Sequence, residues 1–271
     1  MAERSPQPRD AAAAPPARIE LPPSITAVDF ISDLHLGPEL PRTLATLGHY
    51  LARTRVGAVF ILGDLFEAWV GDDAAALPFE RQCVAMLADA ARRRPLYVMR
   101  GNRDFLLGGR FFAETGAAEL ADPTALHAPG IASAPLLLTH GDALCLADTA
   151  YQQFRAQVRQ PAWQAAFLAK PLEERQAIGA QMRAASRAHQ QRLAPITYAD
   201  ADPVLASEWL EAAGSRTLIH GHTHRPQSEV FAERRTRHVL SDWDCDHETP
   251  ARAEVLRWTP VGLTRLPPGE A

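Results

Sequence analysis

The segments DLH (33–35), GD (63–64), GN (101–102), H (140) and HTH (222–224) distribute two carboxylates, one carboxamide and four imidazoles along the chain. They are Asp33, His35, Asp64, Asn102, His140, His222 and His224. These are nitrogen and oxygen donors for a divalent cation. A single tetrahedral ion takes about four donors. A larger set suits two ions about 3.5–4 Å apart with one carboxylate between them. Asp64 is the natural bridge. Asp33, His35 and His224 then complete one site, and Asn102, His140 and His222 the other. With no thiolate in the set, Mn, Fe, Co and Zn all remain open, because affinity order alone does not choose. Any one of these residues alone reads as a polar loop residue or a turn. The set differs, because each group follows an apolar run.

Those runs must position the donors. They are VDFIS (28–32), AVFIL (58–62), PLYVM (95–99), PLLLT (135–139) and TLI (217–219). Each is too short for a helix and is bounded by turn residues, so each is expected as a buried strand. Residues 42–55 and 79–93 carry apolar residues three and four apart, and FLLGGRFFAETG (105–116) is a shorter helix candidate ending at Gly116. Strands alternating with helices predict an α/β core. In an open α/β sheet the loops at the carboxyl ends share one edge, where ligands bind. In DLH and HTH, residues two apart in extended chain project to the same side. Further strands are expected at RHVLSDWD (237–244), AEVLRW (253–258) and LTRL (263–266).

Residues 148–213 have another character. For more than forty residues there is no strand pattern, and Pro161, Pro171 and Pro195 divide the segment into short helices. Tyr151, Phe154 and Val158 share a helical face, as do Trp163 with Phe167 and Ile178 with Met182. The expected organisation is a tail over 1–24, a core over 25–147 and 214–266, a helical cap over 148–213, and a short tail over 267–271. The Ala/Pro/Arg-rich start is expected to be disordered to about residue 24, and the last residues to fray. Within 151–192, seven basic residues (Arg155, Arg159, Lys170, Arg175, Arg183, Arg187, Arg192) face two acidic ones (Glu173, Glu174). The whole chain is acidic, with a net charge of −4, which argues against a general nucleic-acid binder. Three widely spaced cysteines make no disulfide framework, so a reducing cytosol is the simplest reading. No apolar run of spanning length is present, and no secretory signal is expected. Nothing points to an obligate protein partner.

The donor segments carry a resemblance. DLH…GD…GNRD…HGD…GHTH resembles the calcineurin-like metallophosphoesterase superfamily, whose pattern is DxH, GDxxE/D, GNH[DE], H and GHxH. The match runs from residue 30 to 226. One departure narrows it: Arg103 stands where most of the superfamily has His. The strings ISDLHLGPELPR, LGDLFEAWVGDD, RGNRDFLLGGRFF, THGDALCLADTAYQQFR and HGHTHRP are similar to the UDP-2,3-diacylglucosamine diphosphatases of lipid A biosynthesis, the type with a helical cap. The resemblance implies an α/β fold, the four-layer αββα metallophosphoesterase sandwich with a cap insertion. It implies two Mn²⁺ ions and a lipid-linked nucleotide sugar as substrate. It implies hydrolysis to UMP and 2,3-diacylglucosamine 1-phosphate, and peripheral association with the cytoplasmic face of the inner membrane.

On that reading Asp64, Asn102 and His222 are the catalytic set, with Asn102 and His222 serving both metal and phosphoryl group. Arg103 contacts a phosphate through its forked guanidinium. Asp148 contacts a sugar or uridine hydroxyl, or caps the helix that begins at TAYQQF. Asp104 and Asp142 orient neighbouring His or Arg side chains. Glu67 either does the same or caps a turn, and Asp72 and Asp73 read as turn caps. Family substrate contacts fall at Arg183 and Ser186, then at or near Gln190 and near Arg192, where the chain is one residue short of the pattern. The cap supplies the lipid groove through Trp163, Phe167, Leu168, Ile178 and Met182, or these residues simply pack the cap on the core. The cap's basic surplus suits an anionic membrane surface. The alternatives are a metallophosphodiesterase acting on another nucleotide diester, and a scaffold of this fold that has lost its chemistry. The second would show gaps in the donor set, and there are none.

Overall fold

A computed structural model describes residues 15–192, 200–231 and 234–271, with side chains for all of these except 186–192. The strands, in chain order, are β1 (Ala17–Glu20), β2 (Val28–Ile31), β3 (Ala58–Leu62), β4 (Leu96–Met99), β5 (Ala118–Leu120), β6 (Thr124–His127), β7 (Leu136–Leu138), β8 (Thr217–His220), β9 (Gln227–Phe231), β10 (Arg235–Val239), β11 (Val255–Thr259) and β12 (Gly262–Leu266). The α-helices are α1 (Pro41–Arg53), α2 (Pro78–Ala91), α3 (Gly109–Thr115), α4 (Thr149–Val158), α5 (Pro161–Leu168), α6 (Leu172–Arg192) and α7 (Pro203–Ala213). One sheet has the order β12-β11-β2-β3-β4-β5 and the other β1-β6-β7-β8-β10-β9. The five apolar runs are all strands, but they do not share one sheet: β2, β3 and β4 lie in the first, β7 and β8 in the second.

The strands alternate between two cores, as a pleated chain must. Along β3, Ala58, Phe60 and Leu62 meet Leu136 and Leu138 of β7 and Ile219 of β8 between the sheets. Val59 and Ile61 turn the other way, onto α1, α2 and α3. In the second sheet Leu137 and Leu218 turn outward onto Ala206, Trp209 and Leu210 of α7. Phe60 stacks on Tyr97 with ring centres 4.6 Å apart. The result is an αββα sandwich. Both faces of each sheet are covered, which is why the central strands read as unbroken apolar runs.

Three boundaries differ from expectation. The tail assigned to 1–24 contains β1, which pairs in parallel with β6. Residues 17–20 read ARIE and lack an apolar run, because an edge strand exposes much of its surface; Leu21, just after it, is buried between the sheets. At the other end of the chain, Ala271 packs against the helix-side core rather than fraying. The cap ends before 213, because α7 is the outer layer of the second sheet.

The cap proper is α4, α5 and α6. Asp148 caps α4 by accepting the Tyr151 amide at 3.0 Å. Pro161 opens α5, where its missing N–H leaves no helical bond unmade. Val158 and Phe167 are buried against the core, with Phe154, Trp163 and Ile178 packed beside them.

Candidate metal centre and its cavity

The carboxyl ends of β2, β3 and β4 from one sheet, and of β7 and β8 from the other, open onto one point. Asp33, Asp64 and His140 are buried. His224 Nε2 lies 3.1 Å from His35 Nε2 and 3.4 Å from Asp33 Oδ1. His35 Nε2 is 4.0 Å from both Asp33 Oδ1 and Asp64 Oδ2. On the other side, Asn102 Oδ1 sits between His140 Nε2 at 2.9 Å and His222 Nδ1 at 2.8 Å. His140 Nε2 is also 3.5 Å from Asp64 Oδ1. All seven expected donors therefore converge, with Asp64 between the two groups.

The backbone delivers these side chains under strain. Asp33, His35, Asp64, His222 and His224 all have positive φ, between 46° and 66°, and among the described non-glycine residues Arg234 alone joins them. Left-handed backbone costs about 1–2 kcal/mol per L-residue. The two donors of DLH and of HTH converge through these left-handed turns and not through extended chain. Motif glycines admit the close approach. A Cβ on Gly101 would collide with the Asp64 carboxylate, and one on Gly221 with Asp33.

Second-layer groups set the ring orientations. His140 donates Nδ1–H to the Leu62 carbonyl at 2.9 Å, so its Nε2 lone pair faces the centre. His35 Nδ1 faces Glu67 Oε2 at 3.3 Å and His224 Nδ1 faces Asp242 Oδ2 at 3.4 Å. With those nitrogens carrying the protons, the Nε2 lone pairs of His35 and His224 point at one another 3.1 Å apart. Two lone pairs held so close call for a cation between them. Burial opposes charge on His140, yet Asp64, Asp33 and Asp142 outweigh it and hold the ring at about 9. Burial and the His140 charge push His222 down to about 4. Burial also opposes the Asp33 carboxylate, but His224, His140 and His35 hold it well below the usual carboxylate range. Buried carboxylates and rings gathered this closely, with Nε2 atoms facing one another, form a donor set that suits a divalent cation.

Asp104 holds loops rather than a His or Arg side chain. It accepts the amides of Gly101 (2.7 Å), Leu65 (2.7 Å) and Phe66 (3.3 Å), locking the GD and GNRD loops together. Burial and the Asp64 charge raise it to about 6. Asp142 does meet an arginine: it accepts from Arg155 Nε at 2.8 Å and from the Tyr151 hydroxyl at 2.6 Å. Burial opposes its charge, but Arg155, His140 and Arg159 keep it well below the usual range. The Tyr151 ring lies 5.8 Å from that of His222. Asp72 accepts the Gly108, Arg110 and Phe111 amides at the start of α3.

A cavity of about 440 Å³ opens on this centre. Its lining includes His35, Asp64, Asn102, His222 and His224 together with Phe154, Trp163, Phe167 and Met182 of the cap. Arg103, Asp148 and Arg183 also line it. Ile178 is packed against the core, and Leu168 is exposed. Trp163 stacks on Phe167 at 5.0 Å, so these two pack the cap and wall the cavity at once. Arg183 is paired with Glu67 across the cavity. Ser186, Gln190 and Arg192 lie on α6 with side chains outside the described set.

The cap's basic residues are largely committed to carboxylates. Arg155 and Arg159 contact Asp142, Lys170 contacts Glu174, Arg175 contacts Asp73, and Arg183 contacts Glu67. Each of the five with a described side chain is therefore paired. Among the described side chains, the basic residues of the cap are taken up by these pairs.

Sequence reasoning missed Asp242, Arg155, Arg159 and Tyr151 as parts of the site. Asp242 falls within the segment 237–244, expected as strand, but β10 stops at Val239 and the chain turns into a loop under His224.

Comparison with known proteins agrees with this geometry. Residues 26–226 match the model of the calcineurin-like phosphoesterase family. A UDP-2,3-diacylglucosamine hydrolase of Chromobacterium violaceum is 49% identical over 221 residues, covering 80% of this chain and 90% of that protein. One of Bordetella pertussis is 44% identical over 232 residues, covering 83% and 88%. One of Ralstonia nicotianae is 44% identical over 254 residues, covering 89% and 92%. A two-sheet sandwich whose strand ends bring seven candidate metal donors together, with relatives this similar over most of its length, belongs to the calcineurin-like phosphoesterase family, among the UDP-2,3-diacylglucosamine hydrolases.

Proposed function

We propose that the chain hydrolyses the diphosphate bond of UDP-2,3-diacylglucosamine, giving UMP and 2,3-diacylglucosamine 1-phosphate, at a centre of two Mn²⁺ ions. The carrying observation is one cavity with two chemistries in its lining, candidate metal donors and the aromatic and aliphatic residues of the cap. A small water-soluble diester needs only the first. A nucleotide sugar bearing acyl chains uses both.

Two divalent cations in the centre would polarise the phosphoryl oxygens, acidify a water and balance charge in the transition state. Asp33, His35 and His224 would hold one, Asn102, His140 and His222 the other, and Asp64 both. Asn102 and His222 stand at the cavity wall, where they also reach the phosphoryl group. The Arg103 amide donates to Asp64 Oδ1 at 2.8 Å, which fixes its backbone to the centre and brings its guanidinium to the cavity lining. That fork suits a phosphate. The new bond joins the water oxygen to the uridine-side phosphorus. The bond from that phosphorus to the bridging oxygen breaks, and the oxygen leaves with the lipid phosphate. The water's protons go to solvent as the products ionise.

Asp148 serves its helix cap and lines the cavity, within reach of a sugar or uridine hydroxyl. Arg183, Ser186, Gln190 and Arg192 extend the substrate site along α6. Among the described residues no helix is long and apolar enough to cross a membrane. Peripheral contact with the anionic cytoplasmic face of the inner membrane is supported by the acyl-bearing substrate.

The test is turnover of UDP-2,3-diacylglucosamine in ¹⁸O-water with and without Mn²⁺, followed by mass spectrometry. Mn²⁺-dependent UMP carrying the label is expected. Label in the lipid phosphate would move the attack to the other phosphorus. Failure to cleave, with simple diesters still split, would overturn the substrate.

A further inference from the structure

The two halves of the centre are not backed alike. On the side of His140, the proton-bearing nitrogen faces a neutral carbonyl, Leu62 O at 2.9 Å. On the other side both rings are backed by carboxylates: His35 Nδ1 by Glu67 at 3.3 Å and His224 Nδ1 by Asp242 at 3.4 Å. The inner donors are unequal too. Asp33 is a carboxylate, and its counterpart Asn102 is a neutral amide.

Asp242 is a built element of this asymmetry. Its side chain is 7% exposed. Its Oδ2 accepts Arg252 at 2.7 Å. Arg252 is itself fixed by two backbone bonds to Asp244, at 2.7 and 2.9 Å. The same loop is tied to the metal donors, because the Trp243 amide donates to the Asp33 carbonyl at 3.0 Å and the Leu240 amide to the His220 carbonyl at 2.7 Å. A carboxylate so placed fixes the tautomer and direction of His224 and makes its Nε2 a stronger donor.

We propose that Asp242 is a positioning residue that, with Glu67, makes the Asp33/His35/His224 half the tighter divalent-cation site, filled before the Asn102/His140/His222 half. The inference rests on the two-ion reading of the centre. Asp142 lies behind the other half, but both Arg155 and Arg159 contact it. Glu67 and Asp242 back the first half, paired with Arg183 and Arg252, and Asp33 adds a carboxylate that Asn102 does not match. A dication is therefore favoured there. The cation at the other half would be the exchangeable one.

The experiment is Mn²⁺ titration of metal-stripped full-length protein, followed by electron paramagnetic resonance and calorimetry. The wild type is expected to bind one equivalent tightly with an isolated six-line spectrum, then a second more weakly with loss of that signal through coupling. His35→Ala should abolish the tight equivalent, and Asn102→Ala should keep it. Asp242→Ala should weaken the first equivalent about 10- to 100-fold. Asp242→Asn, which keeps an oxygen acceptor and the shape, should recover part of that loss. Metal-free melting temperature separates positioning from folding: it should be little changed in Asp242→Asn. Equal affinity of the two equivalents in the wild type, or tight binding undiminished in Asp242→Ala, would overturn the proposal. So would an equal loss at both equivalents in Asp242→Ala. Binding of fewer than two Mn²⁺ by the wild type would instead overturn the two-ion reading itself.

Discussion

At the scale of single residues, the centre depends as much on missing atoms as on donors. Gly101 has Asp64 against the space a Cβ would fill, so Gly101→Ala must displace either the GN loop or the bridging carboxylate. Misplacement by about 1 Å can lower a rate about 100-fold. Gly101→Ala is therefore expected to lose at least that much activity and much of its bound metal while far-UV circular dichroism stays native. Wild-type metal content in that variant would show that the loop yields without disturbing Asp64. The donors themselves were legible as a set, because five apolar runs in one chain each lead into a carboxylate, carboxamide or imidazole. The left-handed backbone at Asp33, His35, Asp64, His222 and His224 was not legible, since no glycine or asparagine marks those positions. Nor was the partner of each cap arginine. A charge count reports how many cations a segment has, whereas Arg155 finds Asp142 only once the cap has docked.

At the scale of elements, strands buried on both faces were readable, and of the edge strands only β12 was, from LTRL (263–266). β5 (AEL) and β9 (QSEVF) border their sheets, leave much of their length exposed and carry no apolar run. β6 (TALH) is short and half polar, and its antiparallel pairing with β7 is a long-range fact. The cap helices were readable from their prolines, but their anchorage was not. Arg175 is only 3% exposed although it is an arginine on a cap helix. It donates to the Val70 carbonyl at 2.6 Å, to Asp73 at 2.9 Å and to the Lys170 carbonyl at 2.9 Å. It thus joins the start of α6 to the loop after β3. Truncation would leave these acceptors with poorer partners, at about 2–3 kcal/mol. Arg175→Ala should therefore speed hydrogen exchange in α5 and α6 and raise KM for the lipid substrate, with exchange in β2 and β3 unaltered. A uniform change across the chain would mean that the cap and core unfold as one unit.

At the scale of the whole molecule, the site exists only where two sheets meet, and this was the least legible fact. Apolar runs buried on both faces look alike, so nothing local says that β3 and β7 belong to different sheets. The meeting of the sheets also buries groups that titrate. His220 ends β8, fully buried, and donates Nδ1–H to the Gly221 carbonyl at 2.9 Å. Burial, with the Arg237 and His222 charges, lowers it from 6.5 to about 4, and the Gly221 carbonyl and Asp200 only partly oppose this. The folded state therefore resists a proton that the unfolded state accepts below about pH 6.5. The unfolded chain binds more protons, so stability from this group is undiminished above pH 6.5 and falls with pH down to about 4. The full loss is about 3 kcal/mol by that linkage. Denaturant unfolding of metal-free protein between pH 7.5 and 4 should show this acid-side decline. His220→Gln, which keeps a donor for the Gly221 carbonyl but does not titrate, should flatten it over the same window. Parallel pH profiles for the two proteins would remove His220 as the cause and leave the acid sensitivity to other buried groups, among them His238, which burial and Arg265 also lower to about 4.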